Sequence, residues 1–314
     1  MAIKVPTASA LDRTIKCPAS QALPHITEPP GKAARKGTSI HTYLEHVDGG
    51  KNVEGAIALV PEEHQPLCRA IDPSDLPTDK SLYAAEVAVA YDYATGKGRM
   101  LGQGKSRNYG QLSPTEIAGT SDVMAWGQYL KVSDYKTGMG YVPAAKGNPQ
   151  LLLIALAGTR ALGLDTATVE IIRVNETGPP VRDLAEVDEF DLDSFALKVK
   201  QTMASVQVAA TEIEAGRTPD VREGGWCKYC PAKQACPAKR GLLADLVAKG
   251  PDALAHSDMP VVYKRVRNLN NLAEKAMERL KALAREAPIE IGDGLMYGYR
   301  NGRCVEYKAP QEVQ

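Results

Sequence analysis

The 314-residue chain has no run of about 18 apolar residues, the length a membrane-crossing helix needs. Its opening, MAIKVPTASALDR, lacks the apolar core of a secretion signal. Both absences argue against an integral or exported protein, so the chain reads as soluble and cytoplasmic, with no membrane partner. Net charge is missing too, because 38 Lys and Arg balance 38 Asp and Glu. Global electrostatics therefore names no polyanionic partner, although a local basic groove can hold phosphates while acidic segments elsewhere cancel the sum. There is no internal repeat, no low-complexity tract and no Gly-x-x-x-x-Gly-Lys-Ser/Thr phosphate loop, which excludes repeat arrays and a helicase-type motor motif. What remains is 44% apolar, enough for a sizeable core in one large domain or one domain with an appendage. In a reducing compartment the six cysteines, at 17, 68, 227, 230, 236 and 304, are candidates for metal binding rather than disulfides.

Residues 9 to 23 read as a short helix with Ser9 as N-cap, ending near Pro18, and a turn follows at residues 28 to 31. From Gly37, Ile40, Tyr43, Leu44 and Val47 recur at helical spacing, with His41 and Glu45 on the adjoining face. Segments 82 to 93, 116 to 126 and 128 to 136 read as strands, the last two as a hairpin. A strongly apolar helix from about Pro149 to Leu162 precedes a strand at 169 to 174. This order predicts an α/β (α+β) fold, a mixed central sheet flanked by helices. Six carboxylates over 183 to 193 read as a solvated loop or helix start, and Phe195, Val199, Met203, Val206, Ala210 and Ile213 mark a long amphipathic helix after it. A helix over about 260 to 287 and a Gly-rich hairpin close the chain, dividing it into a main domain at 1 to 240 and an accessory part at 241 to 314.

The most informative segment is GTSDVMAWGQYLKVSDYKTG, residues 119 to 138. A strand has a period of two, so Asp134 and Lys136 share a face while Tyr135 points away. A hairpin through Gly127 brings Asp122 near Asp134. Two converging carboxylates repel unless a cation sits between them, and hard oxygen ligands suit Mg²⁺ or Mn²⁺. Lys136 would then orient an attacking water or stabilise charge on a phosphate. Taken alone, the same Asp-x-Lys also fits a solvent-facing salt bridge. His41 fits either a packed helix histidine or a metal ligand, and Glu86 fits structural support of the site or assistance in metal binding. Lys97, Arg99, Lys105 and Arg107 form a basic run around Tyr109, either a loop over a DNA backbone or a solvated loop. The basic helix near the C-terminus fits an ordinary amphipathic surface or a DNA- or partner-binding one.

Cys227-x-x-Cys230-x-x-x-x-x-Cys236 can bring three thiolates to one centre, and tetrahedral ligation wants four. Cys17 is the natural fourth, since it shares a Cys-Pro context with Cys230 and Cys236. Spacing alone does not separate zinc from an iron–sulfur cluster.

Gly119-x-x-Asp122, Val132-x-Asp134-Tyr135-Lys136-Thr137-Gly138, Gln150 opening a helix and the upstream Gly37-x-x-x-His41-x-x-x-Glu45 together resemble the PD-(D/E)XK nuclease superfamily in its RecB-like branch. The resemblance covers roughly residues 9 to 240 and implies a restriction-endonuclease-like sheet. It also implies that His41, Asp122, Asp134 and the Tyr135 backbone carbonyl bind the divalent metal, with Lys136 catalytic and Gln150 on the site's helix motif. Ile154 stands where that motif ends in tyrosine. One upstream cysteine with a trio near the end is similar to the iron–sulfur subgroup, which includes AddB-type and CRISPR-associated exonucleases. Cys17, Cys227, Cys230 and Cys236 would then hold a structural 4Fe-4S cluster, ahead of zinc, that staples the helical part of the fold. The implied activity is metal-dependent exonucleolytic hydrolysis of DNA ends in phage-type recombination, replication or repair. The implied partners are DNA and a single-stranded-DNA-binding or other replication or recombination protein. The alternatives are a spacer-acquisition nuclease and a non-catalytic iron–sulfur module that binds DNA or a partner.

Overall fold

A computed structural model describes residues 5–26, 32–71, 83–103, 108–137, 142–174, 180–239, 259–292, 295–300 and 302–308. The chain divides into two units, Met1–Cys236 and Pro237–Gln314.

The N-terminal helix expected over 9 to 23 is broken. A 3-10 turn at Ala8–Ala10 leads into α1 (Leu11–Lys16), and α2 (Ala19–Ala22) restarts after Cys17, which sits at φ −145°, ψ 87°. Pro18 pushes the residue before it out of helical angles, which accounts for the break. Ser9 lies inside the 3-10 turn and caps nothing; its Oγ meets Thr7 Oγ1 at 3.1 Å. Helices α3 (Lys32–Asp48), α4 (Val53–Ile57) and α5 (Gln65–Arg69) follow.

The sheet of the first unit has the order β2-β1-β3-β4-β5-β6. Its strands are β1 (Tyr83–Asp92), β2 (Lys97–Gln103), β3 (Glu116–Trp126), β4 (Leu130–Lys136), β5 (Ala167–Arg173) and β6 (Val181–Val187). All neighbours are antiparallel except β4 and β5, whose parallel pairing requires a crossover, supplied by α6 (Pro149–Leu162). Asn148 caps α6 by accepting from the backbone of Gln150 and Leu151, and Gly163 closes it at φ +67°. The helix is buried from Leu151 to Thr159, as its continuous apolar run predicts. It lies so close to β2 that a Cβ on Gly98 would come within 2.0 Å of the Ala157 carbonyl oxygen. With α7 (Glu189–Glu214) it covers one face of the sheet; α3, α4 and α5 pack around Tyr83, Val123, Tyr135 and Ile172 in a second core cluster.

Two readings of the loops change. Lys97 and Arg99, expected in a loop, lie on strand β2, paired opposite Asp92 and Ala90. Arg99 is bidentate to Glu116, with Nη2 2.9 Å from Oε2, so its charge is already spent within the sheet. Lys105 and Arg107 lie outside the described residues. The acidic stretch 183 to 193, expected as a solvated loop or a helix start, begins in the outer strand β6 and ends as the start of α7, whose N-cap Asp188 accepts from the Asp191 backbone. Charged side chains on an edge strand discourage pairing with other chains.

The second unit holds α8 (Met259–Glu286) and a three-stranded antiparallel sheet of β7 (Ile289–Gly292), β8 (Leu295–Arg300) and β9 (Arg303–Lys308). Strands β8 and β9 are the expected hairpin, and β7 adds an outer strand to it. Among the described residues no helix is long and apolar enough to cross a membrane.

Candidate metal and catalytic site

The site forms where two strands change phase together. On β1, Ala84 faces the α6 core and Tyr83 the α3 core, yet beyond Glu86 it is the odd-numbered Val87, Val89 and Tyr91 that face α6. On β3 the same slip falls between Ile117 and Met124, both packed on the α6 side. A period of two cannot carry an odd and an even position to one face without an irregular residue between them. Glu86 is that residue in β1, with a left-handed φ of +50° that non-glycine residues seldom adopt. The register of the flanking pairs, Ala85 with Val123 and Val87 with Ser121, sets Glu86 opposite Asp122. The pairing of β3 with β4 ends at Val123 with Ser133, which leaves Asp122 and Asp134 as the next residues of the two strands. Three carboxylates on adjacent strands thus fall in one row.

Helix α3 brings the imidazole. Ile40, Tyr43 and Leu44 bury the helix against the second core cluster, which leaves His41 on the margin of that stripe, half-buried. Its Nδ1 stands 2.6 Å from Glu86 Oε1 and 3.2 Å from Asp122 Oδ1. Asp122 uses its other oxygen, Oδ2, to accept from the Tyr135 backbone N–H at 2.6 Å, so β4 is joined to the Asp122 side chain there. Ligand atoms of His41, Glu86 and Asp122 all lie within 4.8 Å of one another.

Asp134 makes a second group. Gln150 Nε2 donates to its Oδ1 at 2.8 Å, and Lys136 Nζ lies 2.6 Å from its Oδ2. Lys136 also donates to Gln150 Oε1 at 3.2 Å, closing a three-membered ring of contacts. The ammonium meets Oδ2 at a poor angle, and this buried oxygen has no well-formed hydrogen bond.

Electrostatics separates the two buried aspartates. Burial works against the charge on Asp122, but His41, Lys136 and the Tyr135 amide together hold its carboxyl below the ordinary aspartate range. On Asp134 burial dominates and Asp122 adds to it, against the pull of Lys136, so its carboxyl is pushed up to about 6. Burial disfavours a charged His41, yet Asp122 and Glu86 outweigh it and raise the imidazole to about 10.

Sequence reasoning thus named the residues that meet here but divided their roles differently. Glu86, which fitted either support of the site or assistance in metal binding, stands beside His41 and Asp122, whereas Asp134 engages Lys136 and Gln150. The usable signal for Glu86 was a lone carboxylate in YAAEVAVAY, a strand buried from Tyr83 to Tyr91. Glu45 is exposed and takes no place in the cluster. Gly119 has a packing reason: a Cβ there would come 2.5 Å from Ala8 Cβ and 3.1 Å from Ile154 Cγ1. Ile154 therefore fills core space beneath the strand rather than reaching outward.

The cysteines sit elsewhere in the first unit. Cys17 and Cys230 share a small buried cluster with Ala19, Leu23, Ala209 and Ala232, and the Arg222 backbone N–H points at Cys17 Sγ at 3.4 Å. Ile26 N donates to Pro231 O at 3.0 Å, tying the same two ends of the unit by backbone. Cys227 and Cys236 are half-buried on the following turns. No three of these sulfurs close to the 4.8 Å separation that His41, Glu86 and Asp122 reach.

Fold and site together define a mixed α+β protein with a cluster of buried carboxylates and a half-buried imidazole at a break in its sheet. The chain belongs to a family described as a protein of unknown function, DUF2800, whose model matches residues 5–292. No curated protein matches it. Among solved structures, the crystal structure of SSO0001 is similar at 14% identity and a TM-score of 0.29, over 73% of this chain and 95% of that one.

Proposed function

We propose that the chain is a divalent-metal-dependent deoxyribonuclease that hydrolyses phosphodiesters at DNA ends. The observation that carries this reading is the row of three carboxylates, bounded by an imidazole on one side and an ammonium on the other. The donor set fits a divalent ion. It offers one nitrogen and several oxygens, and the buried Oδ2 of Asp134 lacks a well-formed hydrogen bond. His41, Glu86 and Asp122 would hold Mn²⁺ or Mg²⁺, with Asp134 as a further oxygen; an imidazole in the set favours Mn²⁺, because Mg²⁺ prefers oxygen alone. The ion would polarise a phosphoryl oxygen and lower the pKa of a bound water.

The chain's own groups do the rest. Asp134 and Gln150 hold the Lys136 ammonium at the edge of the cluster, where it can orient a nucleophilic water and offset charge on the phosphate. The four cysteines Cys17, Cys227, Cys230 and Cys236 are assigned a structural 4Fe-4S cluster, supported by the burial of Cys17 and Cys230 together and by the amide aimed at Cys17.

Purified protein incubated with Mn²⁺ should shorten end-labelled linear DNA. Asp134→Ala should cut that rate by at least about 100-fold and Lys136→Met by about 100- to 1,000-fold, with DNA binding in chelator retained. An Asp134→Ala protein that degrades DNA as fast as the parent overturns the assignment. Binding without degradation under either ion would mark a non-catalytic module instead. Spacer acquisition would use the same chemistry and differs only in context.

A further inference from the structure

The zero net charge of the chain is unevenly divided. Residues 237 to 314 hold 13 Lys and Arg against 10 Asp and Glu, so this part is positive by three and the rest negative by three. Within α8 alone, seven Lys and Arg meet three Glu.

The small sheet gives that charge a shape. Pairing sets Met296 opposite Tyr307, Gly298 opposite Val305 and Arg300 opposite Arg303, so these six share one face. The C-terminal end of α8 meets the other face, where Arg285 Nε donates to Tyr299 Oη at 2.8 Å. On the shared face Arg300, Arg303 and Val305 are exposed, and Glu290 of β7 is the one carboxylate among the described residues there. The Arg300 guanidinium stacks on Tyr307, 4.0 Å from the ring centroid. Gly298 makes this possible: a Cβ there would lie 3.2 Å from Pro288 Cβ and 3.3 Å from Tyr307 Oη, so a side chain would crowd the ring off the sheet.

We propose that this face of the second unit is a platform for single-stranded DNA. A guanidinium held flat by a tyrosine presents its outer plane to a base, and stacking on such planes accepts any base. Arg303 beside it meets a phosphate, Val305 supports the sugar or base edge, and exposed Arg267, Arg279 and Lys281 on α8 add long-range attraction. Duplex DNA keeps its bases stacked inside and offers nothing to the Arg300–Tyr307 pair. An acidic peptide would use the charges but gain nothing from the stack. The choice of DNA as the polymer rests on the nuclease reading above, but the binding itself needs neither metal nor hydrolysis.

The test uses the full chain in EDTA and a fluorescein-labelled oligo-dT of about 20 nucleotides, read by anisotropy between about 50 and 200 mM salt. The parent should bind, and Arg300→Gln/Arg303→Gln should bind at least about tenfold more weakly, with a salt slope smaller by roughly 0.7 for the one phosphate contact of Arg303. Tyr307→Leu should also lose about tenfold, whereas Arg303→Lys, which keeps the charge, should stay within about threefold. Binding of a duplex should change less than about twofold in Tyr307→Leu and should fall clearly less than single-strand binding in the double variant. Circular dichroism separates lost contacts from lost folding, and Arg303→Gln alone serves if the double variant unfolds. A parent that does not bind, a folded double variant within twofold of it, or an equal loss on duplex overturns the platform. The nuclease reading fails separately, on Mn²⁺-dependent degradation by the parent and by Asp134→Ala.

Discussion

His41 cannot hold a metal while it carries a proton on the nitrogen that donates. Its neighbours Asp122 and Glu86 raise it to about 10, so in the metal-free protein it is protonated at neutral pH. If His41 is a ligand as proposed, binding of Mn²⁺ would expel that proton, and apparent affinity should rise with pH, about tenfold per unit between pH 7 and 8.5 where one proton is displaced. Below about 6 the slope should steepen, because Asp134 takes up a proton as well. Calorimetric titrations in buffers of different ionisation enthalpy count the released proton directly. A flat profile from pH 7 to 8.5 would remove His41 from the ligand set. The protonated imidazole has a use without any metal, since it neutralises two carboxylates that would otherwise repel each other across β1 and β3.

At the scale of elements, one carboxylate ties three strands. Glu170 on β5 is 2% exposed; it accepts from Ser133 Oγ on β4 at 2.9 Å and from Arg182 on β6 at 2.8 Å, and Lys131 lies 3.1 Å away. Burial alone would raise its carboxyl, but Arg182, Lys131 and Ser133 together hold it below the ordinary glutamate range. A depressed folded-state pKa contributes stability above the unfolded value, and that contribution disappears as pH falls through the folded value. Glu170→Gln should therefore cost about 1–3 kcal/mol in urea unfolding at pH 7, with the gap to the parent closing in acid below the normal glutamate range. A gap that stays constant down to low pH would mean that shape, not charge, matters at this position. Glu170 also shows what the pattern of residues can and cannot reveal. Period-two spacing sufficed to set Asp134 beside Lys136, and a hairpin sufficed to bring Asp122 near. An apolar run was enough for α6, and helical spacing of apolar residues for α7. The concerted slip of β1 and β3 was not legible, because hydrophobic alternation is silent about a single residue at φ +50° in a strand buried on both faces. Strand β2 was hidden by its two glycines and by the charges of Lys97 and Arg99 on either side of Gly98, which read as loop until Gly98 is seen to make room for α6.

At the scale of the molecule, the first unit begins and ends at one place. Cys17 and Cys230 lie in the same buried cluster although they are 230 − 17 = 213 positions apart in the chain, and every cysteine of the assigned set falls within Met1–Cys236. A covalent or metal staple across a loop of that size removes chain entropy from the unfolded state worth roughly 5 kcal/mol. For a unit of this length, about 1 kcal/mol moves the melting temperature by about 2–4 °C. Cys17→Ser should therefore lower Tm by roughly 10–20 °C, while folded protein at low temperature still shortens DNA with Mn²⁺, because His41, Asp122, Asp134 and Lys136 belong to a separate part of the fold. Anaerobically purified parent should contain about four iron and four sulfide per chain. About one zinc with no iron would replace the cluster by a zinc site and keep the staple. An unchanged Tm in Cys17→Ser would show that the apolar packing of Leu23, Ala209 and Ala232 and the Ile26–Pro231 hydrogen bond close the unit without any metal.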